Sequence, residues 1–167
     1  MPVWIHCKGY LVRDDNTKPL YMIGCINEIG ERQKADNVSG LLGETGLRQY
    51  MDQQDTPLET GYLLRIGIDH FKEINDNFGQ EYGDFVLRKT ADCISGCISE
   101  AQKVYKLVAD EFLILDVSSD EVKDADKLYD KVRNEIDRFI ESNEFKVMYT
   151  VSGGIVPFAA LKGNQYS

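Results

Sequence analysis

The start of the chain carries two runs of β-branched and aromatic residues that predict a β-hairpin. The runs occupy residues 3–12 and 19–28, and the polar residues 13–18 separate them. Two such runs joined by a polar connection are typical of antiparallel strands. The polar segment over residues 30–37 that follows predicts a linker or a short helix.

The next part of the chain alternates between the helical and the strand period. Residues 44–54 predict a modest helix, and the alternating pattern of residues 62–69 predicts a strand. Apolar positions three and four apart predict a second helix over residues 81–99. Between that strand and that helix, we interpret the residues up to Gly79 as a turn.

The last part of the chain predicts a second hairpin, a long helix and a final strand. Short strands at residues 104–108 and 112–117 flank an acidic tip, and Ser118–Glu121 has the spacing of a helix capping box. The final strand is predicted over residues 146–155 and ends at the glycine pair 153–154. The order α, β, α, β, β, α, β indicates an α+β fold with a mostly antiparallel central sheet flanked by helices.

The charge balance limits the partners of the protein. The 19 Lys and Arg residues against 28 Asp and Glu residues give a net charge of −9. Nucleic acids and anionic membrane surfaces require a basic face, so we expect neither nucleic-acid binding nor membrane contact. The first residues contain no basic stretch leading into an apolar run, so we expect a cytoplasmic chain, either free or part of a larger or membrane-tethered protein.

The segment that points most directly to chemistry is IGIDHFKEINDNFGQEYGDFVL, residues 66–87. Its strand ends on an acid and leads towards a helix start, where folds present carboxylates and N–H groups to nucleotides. The amide of Asn75 and the carboxylate of Asp84 together have the donors and acceptors that a guanine edge requires. The same residues also fit a solvated turn with capping side chains. A second acidic element at residues 109–112 favours Mg²⁺ only if a neighbouring strand brings another carboxylate beside it.

These two segments closely resemble the GGDEF domain, the catalytic module of diguanylate cyclases. The family's opening pattern DxLTGL matches loosely at residues 36–41, and the spacing between the matched segments needs no gaps. The family pattern DxDxFKxINDxxGHxxGD matches at Asp69, Phe71, Lys72, Ile74, Asn75, Asp76, Gly79, Gly83 and Asp84.

The resemblance implies a nucleotidyl-cyclase-like fold, a ferredoxin-like palm, and a reaction between two such domains. Each domain of the homodimer would hold one GTP, and Mg²⁺ would assist the conversion of two GTP into cyclic di-GMP and pyrophosphate. Carried over by position, Asn75 and Asp84 would hold the guanine, and Phe71 and Lys72 would lie by the phosphates.

The resemblance also implies the metal ligands and the catalytic residues. Asp110, together with the carbonyl of Ile68, would coordinate Mg²⁺. Asp110 and Glu111 would be the catalytic residues, with Glu111 supporting the site.

The sequence departs from the family pattern at the metal site and at the signature turn. The family's first metal-binding aspartate falls on Gly67, so we expect Mg²⁺ binding to be weak or absent. Val108 and Ala109 replace the two signature glycines. A valine held at positive φ costs about 1–3 kcal/mol, so we expect the turn to have changed shape. The two residues of the family's inhibitory site fall on Ser99 and Gln102, so we expect no product feedback there.

The resemblance also divides the chain into parts. Residues 1–30 resemble the closing hairpin of a PAS sensor domain, although an extra hairpin packed on the domain is an alternative. Residues 31–37 would be a linker, and residues 38–167 a GGDEF-like domain that lacks its last helix.

We therefore expect a degenerate GGDEF domain of a bacterial cyclic di-GMP signalling protein. It would act as a GTP-binding or dimerising regulatory module without cyclase activity, and an EAL phosphodiesterase domain would be a suitable neighbour in a longer protein. Two alternatives stay open: an active diguanylate cyclase that tolerates Gly67, and a pure protein-interaction scaffold.

Overall fold

A computed structural model describes residues 5–13, 17–28, 35–54, 58–119, 121–142 and 148–161. The chain divides into two compact units, Met1–Lys34 and Ala35–Ser167. In the described ranges, no helix is both long enough and apolar enough to cross a membrane.

The first unit contains the predicted hairpin. Strand β1 (Ile5–Arg13) pairs with strand β2 (Pro19–Glu28) in an antiparallel ladder that places Gly9 opposite Gly24. The register shifts between Val12 and Arg13, close to the connection. The hairpin prediction is confirmed, and its resemblance to a PAS hairpin stays a prediction.

The second unit is an α+β fold, as expected. Its four strands form a sheet of order β4-β5-β3-β6 in which every neighbouring pair is antiparallel. The elements in chain order are α1 (Glu44–Asp52), β3 (Tyr62–Ile68), α2 (Phe71–Phe78), α3 (Gln80–Cys97), β4 (Gln102–Lys106), β5 (Glu111–Asp116), α4 (Val122–Ser142), β6 (Val151–Pro157) and α5 (Phe158–Leu161).

The two faces of the sheet are packed differently. Leu64, Ile66 and Ile68 of β3 face the main core, where they join buried residues of α3 and α4. The opposite face carries a smaller cluster that includes Tyr105 and Phe158. Alternation along β3 therefore directs its odd-numbered residues away from the main core, where polar side chains can reach solvent.

A helix occupies the segment that the sequence predicted to be a turn. Helix α2 follows β3 directly, and its Ile74 is buried in the main core. Gly79, with φ of +85°, separates α2 from α3, in agreement with the predicted break. The prediction of a turn is wrong because burial of one apolar face stabilises a helix of only eight residues, a length that is marginal in isolation.

The predicted capping box at the start of α4 is also wrong. The N–H and hydroxyl of Ser118 both donate to Asp116 Oδ1, at 2.7 Å each. Ser119 stands at the helix start instead, since its hydroxyl accepts the Glu121 N–H at 3.3 Å and donates to Asp124 at 2.6 Å. The buried Asp116 competes successfully for the first serine because a buried carboxylate needs hydrogen-bond donors.

The predicted glycine stop of the last strand lies inside β6. A Cβ at Gly153 would come within 2.7 Å of the Tyr129 ring, whose hydroxyl donates to Val151 O at 2.8 Å. Glycine is therefore required here for close packing of α4 on the strand, and it does not end the strand. The strand begins at Val151, so the prediction that residues 148–150 belong to it is wrong, and residues 146–147 of the predicted strand lie outside the described residues.

Candidate functional site

The end of β3 lies beside the acidic tip of the β4–β5 hairpin. The ladder pairs Gly67 with Glu111, and the Ile68 N–H donates to Asp110 O at 3.4 Å. A Cβ at Gly67 would lie 3.9 Å from Asp110 Oδ2 and 3.9 Å from Glu111 Cγ. The structure thus brings together the predicted residues Ile68, Asp110 and Glu111, with room beside Asp110 for the carboxylate that Gly67 lacks.

Asp69 does not substitute for that missing carboxylate. Its two oxygens accept the hydroxyls of Thr150 at 2.5 Å and Ser152 at 2.6 Å. These partners lie on the β6 side of β3, whereas Asp110 lies on the β5 side. The hydroxyls of Ser152 and Thr150 hold the pKa of Asp69 below its usual value. Asp69 therefore joins β3 to β6.

The signature turn keeps one left-handed residue despite the loss of both glycines. Ala109 has φ of +57°, whereas Val108 does not have a positive φ and its side chain is 75% exposed. Val108 thus avoids the strain of a positive φ, because Ala109 occupies the left-handed position. The expected change in the shape of the turn stays a prediction. An alanine there costs about 1–2 kcal/mol relative to a right-handed conformation.

Lys106, at the end of β4, fastens this turn. Its buried ammonium donates to Leu107 O at 2.9 Å and also to Ala109 O. Burial lowers the pKa of Lys106, and the carboxylates of Asp36, Asp110 and Glu111 oppose that shift. The lysine therefore supplies a cation beneath the acidic tip.

The segment that resembles the family's opening pattern is a turn docked on the same strand. Asp36 accepts the N–H and hydroxyl of Ser39 at 2.7 Å each, and Gly40 has φ of +73°. The Lys106 N–H donates to Leu42 O at 2.8 Å. This segment positions the signature hairpin through the backbone.

Arg65 is a site residue that the sequence interpretation overlooked. It lies on β3 two residues before Gly67, on the same face, and its Nη2 contacts both carboxylate oxygens of Glu111. The signal was available: a single charged residue inside the apolar strand YLLRIGI. The ion pair means that Glu111 already has a cationic partner.

The predicted guanine-reading residues lie at the junction of α2 and α3. A Cβ at Gly83 would come within 1.8 Å of Asn75 Oδ1 and 3.3 Å of Phe71 Cζ, so both side chains pack directly on that glycine. Among the described residues, Asn75 Oδ1 is buried and finds no hydrogen-bond partner. Asp84 is half-buried and is the fifth residue of α3, and Lys72 is exposed in the first turn of α2.

The residues present do not fit a pair of divalent ions. Mg²⁺ prefers six oxygen ligands with near-octahedral geometry, and paired ions are normally bridged by carboxylates. Asp110 and the Ile68 carbonyl are the predicted ligands, while Asp69 and Glu111 are already committed to other partners. Across the described ranges, no three His, Cys, Asp or Glu side chains are grouped as a metal site requires.

The positions that correspond to the inhibitory site bind each other. Ser99 N–H donates to Gln102 Oε1 at 2.8 Å, and the Gln102 amide donates to the buried Asp116 at 2.7 Å. These contacts stabilise the start of β4. The expected absence of product feedback stays a prediction.

Comparison with known proteins shows the family of the second unit. Residues 34–167 match the family described as "Diguanylate cyclase, GGDEF domain". The chain belongs to the GGDEF family. Diguanylate cyclase DgcZ of Escherichia coli K12 is 34% identical to this GGDEF chain over 87 residues, which is 50% of the chain and 29% of DgcZ. The matched segments span less than a third of the first curated relatives.

Solved GGDEF structures show the same fold. The GGDEF domain of PA1120 (TpbB or YfiN) from Pseudomonas aeruginosa is 25% identical, with a TM-score of 0.60 over 77% of this chain and 83% of that chain. The GGDEF domain of DgcB from Caulobacter crescentus, solved in complex with c-di-GMP, is 23% identical, with a TM-score of 0.64 over 72% of this chain and 75% of that chain. The cyclase-like fold expected from the sequence is confirmed.

Proposed function

We propose that this GGDEF domain binds GTP without converting it into cyclic di-GMP, and that it acts as a regulatory module in cyclic di-GMP signalling. The observation that carries the proposal is Gly67, because β3 then provides no carboxylate beside Asp110 at the place where the strand and the signature turn meet. The predicted guanine-binding residues Asn75 and Asp84 support the proposal that the domain binds GTP.

Binding is supported by the state of Asn75. Its buried Oδ1 lacks a hydrogen-bond partner among the described residues, so a guanine donor placed there would satisfy an atom that otherwise carries a desolvation penalty. Asp84, on the neighbouring helical turn, can accept from the ring N–H and exocyclic amine of guanine. Adenine offers a different pattern of donors and acceptors, so we expect GTP to bind more tightly than ATP.

Loss of catalysis is supported by the ligand set. Attack of a 3′-hydroxyl on an α-phosphate builds negative charge that the family offsets with Mg²⁺. Removing a direct ligand should lower the affinity for Mg²⁺ by at least the 10–100-fold that is typical when only a residue supporting a ligand is lost. The side chain of Val108 also projects from the signature turn, where the family has glycine.

The cyclase test measures cyclic di-GMP by liquid chromatography and mass spectrometry after incubation with GTP and Mg²⁺. We expect no product above the level of the Asp110→Asn variant. Product that accumulates in the wild type and disappears in that variant would contradict the proposal and favour the active cyclase.

The binding test is isothermal titration calorimetry with GTP and ATP. We expect GTP to bind in the micromolar to millimolar range, about −4 to −8 kcal/mol. Asn75→Ala and Asp84→Ala should each abolish the preference for GTP. Equal binding of both nucleotides, or no binding, would favour the scaffold alternative. Dimerisation and an adjoining EAL phosphodiesterase domain stay predictions from the resemblance.

A further inference from the structure

Two fixed cations already lie beside the acidic tip. Arg65 Nη2 contacts both oxygens of Glu111, and the buried Lys106 ammonium binds the carbonyls of Leu107 and Ala109 on either side of the turn residue Val108. Each cation is held by the hairpin that carries the acidic residues. The tip is therefore supplied with positive charge by the chain itself.

Most of the negative charge around the tip is compensated without an added ion. Asp36, Asp110 and Glu111 contribute three negative charges around Lys106, and Arg65 and Lys106 contribute two positive charges. A divalent cation at this place would have to displace the guanidinium from Glu111 or accept its repulsion. With glycine at position 67, β3 provides no carboxylate beside Asp110 that would favour the ion over the guanidinium.

A guanidinium can also do part of what a metal ion does for a phosphate. It carries a permanent charge and five N–H donors in a planar fork that matches phosphate oxygens. The contacts with Glu111 come from one nitrogen of Arg65, and the side chain is 60% exposed. The remaining donors have no hydrogen-bond partner among the described residues, so they can meet an anion that approaches from the solvent side of β3.

We propose that Arg65 occupies the place of the divalent cation in this site, so that the phosphates of GTP bind beside the acidic tip without Mg²⁺. This inference rests on the proposed function, since it assumes that GTP is the ligand. It goes further because it assigns the phosphate contact to a residue of β3 and makes binding independent of the metal.

The first test compares GTP affinity in Mg²⁺ with GTP affinity in EDTA. We expect the two dissociation constants to agree within about threefold, and we expect Arg65→Met to weaken binding in EDTA by about tenfold or more, the size of a lost charge-assisted contact. Arg65→Gln serves as a second variant if the methionine variant does not fold. Arg133→Met, on the exposed side of α4, is the matched control and should leave affinity unchanged.

The second test needs no nucleotide and measures Mn²⁺ binding to the protein by electron paramagnetic resonance. Gly67→Asp alone should bind Mn²⁺ weakly, because Arg65 still occupies Glu111. Gly67→Asp combined with Arg65→Met should bind it about tenfold more tightly or better. Equal Mn²⁺ affinity of these two variants would overturn the inference.

The outcomes separate the inference from the proposed function. GTP binding that requires Mg²⁺, or that is unchanged in Arg65→Met, overturns the inference and leaves GTP binding in place. Absence of GTP binding with and without Mg²⁺ refutes the proposed function and, with it, the phosphate contact of Arg65. The Mn²⁺ comparison then still shows whether the guanidinium excludes the ion.

Discussion

Replacing Gly83 by alanine should dislodge Asn75, although Gly83 itself has no side chain to contact a ligand. The new Cβ would lie 1.8 Å from Asn75 Oδ1 and 2.8 Å from its Cγ. Non-bonded heavy atoms settle about 3.5–4.0 Å apart, so the amide has to move by roughly 1.5 Å or more. Phe71 Cζ, 3.3 Å from the same point, limits the ways in which the site can relax.

The cost of that displacement can be separated from the ordinary effect of glycine in a helix. Replacing a helical glycine by alanine stabilises by about 0.8–1 kcal/mol through propensity alone. Overpacking at a buried site costs about 1–3 kcal/mol. We therefore expect Gly83→Ala to be less stable than a propensity-matched control by about 1–3 kcal/mol.

Gly96→Ala provides that control on the same helix. A Cβ at Gly96 would meet nothing within 4 Å, and the residue is exposed. The assay is the free energy of unfolding from urea titrations of both variants and the wild type. Calorimetry with GTP and ATP should also show the nucleotide preference reduced in Gly83→Ala and retained in Gly96→Ala.

A double variant identifies the clash as the cause. Gly83→Ala combined with Asn75→Ala removes the amide that the new methyl group meets, so the two changes should be non-additive, with a favourable coupling of about 1–3 kcal/mol. Equal stability of Gly83→Ala and Gly96→Ala, or strict additivity in the double variant, would refute the reasoning.

Three further predictions concern the surroundings of the site. Ala109→Gly should raise the free energy of unfolding by about 0.5–1 kcal/mol in urea titrations. Glycine avoids the penalty that alanine has in the left-handed conformation, and this gain exceeds the greater chain entropy that glycine loses on folding. An unchanged or lower free energy of unfolding would contradict the strain at Ala109. The hydroxyl contacts that lower the pKa of Asp69 stabilise the fold fully above the unfolded value of 3.8, and this stabilisation is lost as the pH falls through the lower folded value. Asp69→Asn should therefore flatten the dependence of stability on pH below about pH 4, measured by thermal melts. Tyr149→Phe should cost about 1 kcal/mol, read from urea titrations, because the tyrosine hydroxyl shares a 2.9 Å hydrogen bond with buried Thr90, and a neutral substitution would contradict that.

The hydrophobic periods were sufficient to predict most elements of this protein. The strand β3 and the helix α3 follow from local patterns of two and of three to four residues, which depend on each of these elements having one buried face. The hairpin of β1 and β2 follows from two runs of β-branched and aromatic residues joined by a polar connection. Helix α2 could not be predicted in this way. It is short, and the burial of Ile74 against other elements stabilises it.

The sequence patterns also did not predict which neighbours Ser118 and Gly153 contact. Ser118 has the spacing of a helix cap, yet it binds the buried Asp116. Gly153 belongs to a glycine pair of the kind that often ends a strand, yet it lies inside β6, where the lack of a side chain lets the Tyr129 ring pack against the strand. In each case the decisive neighbour is distant in sequence or buried, so local patterns carry no information about it.

The sequence by itself determined the family resemblance, the fold class and the absence of the carboxylate at Gly67, because each depends on which residue stands at which position. Only the tertiary structure decided what the remaining side chains do. It turned Asp69 towards β6, paired Arg65 with Glu111 and packed Asn75 on Gly83. Those outcomes depend on distances between residues of different elements, which are fixed when the sheet register and the helix packing are fixed together.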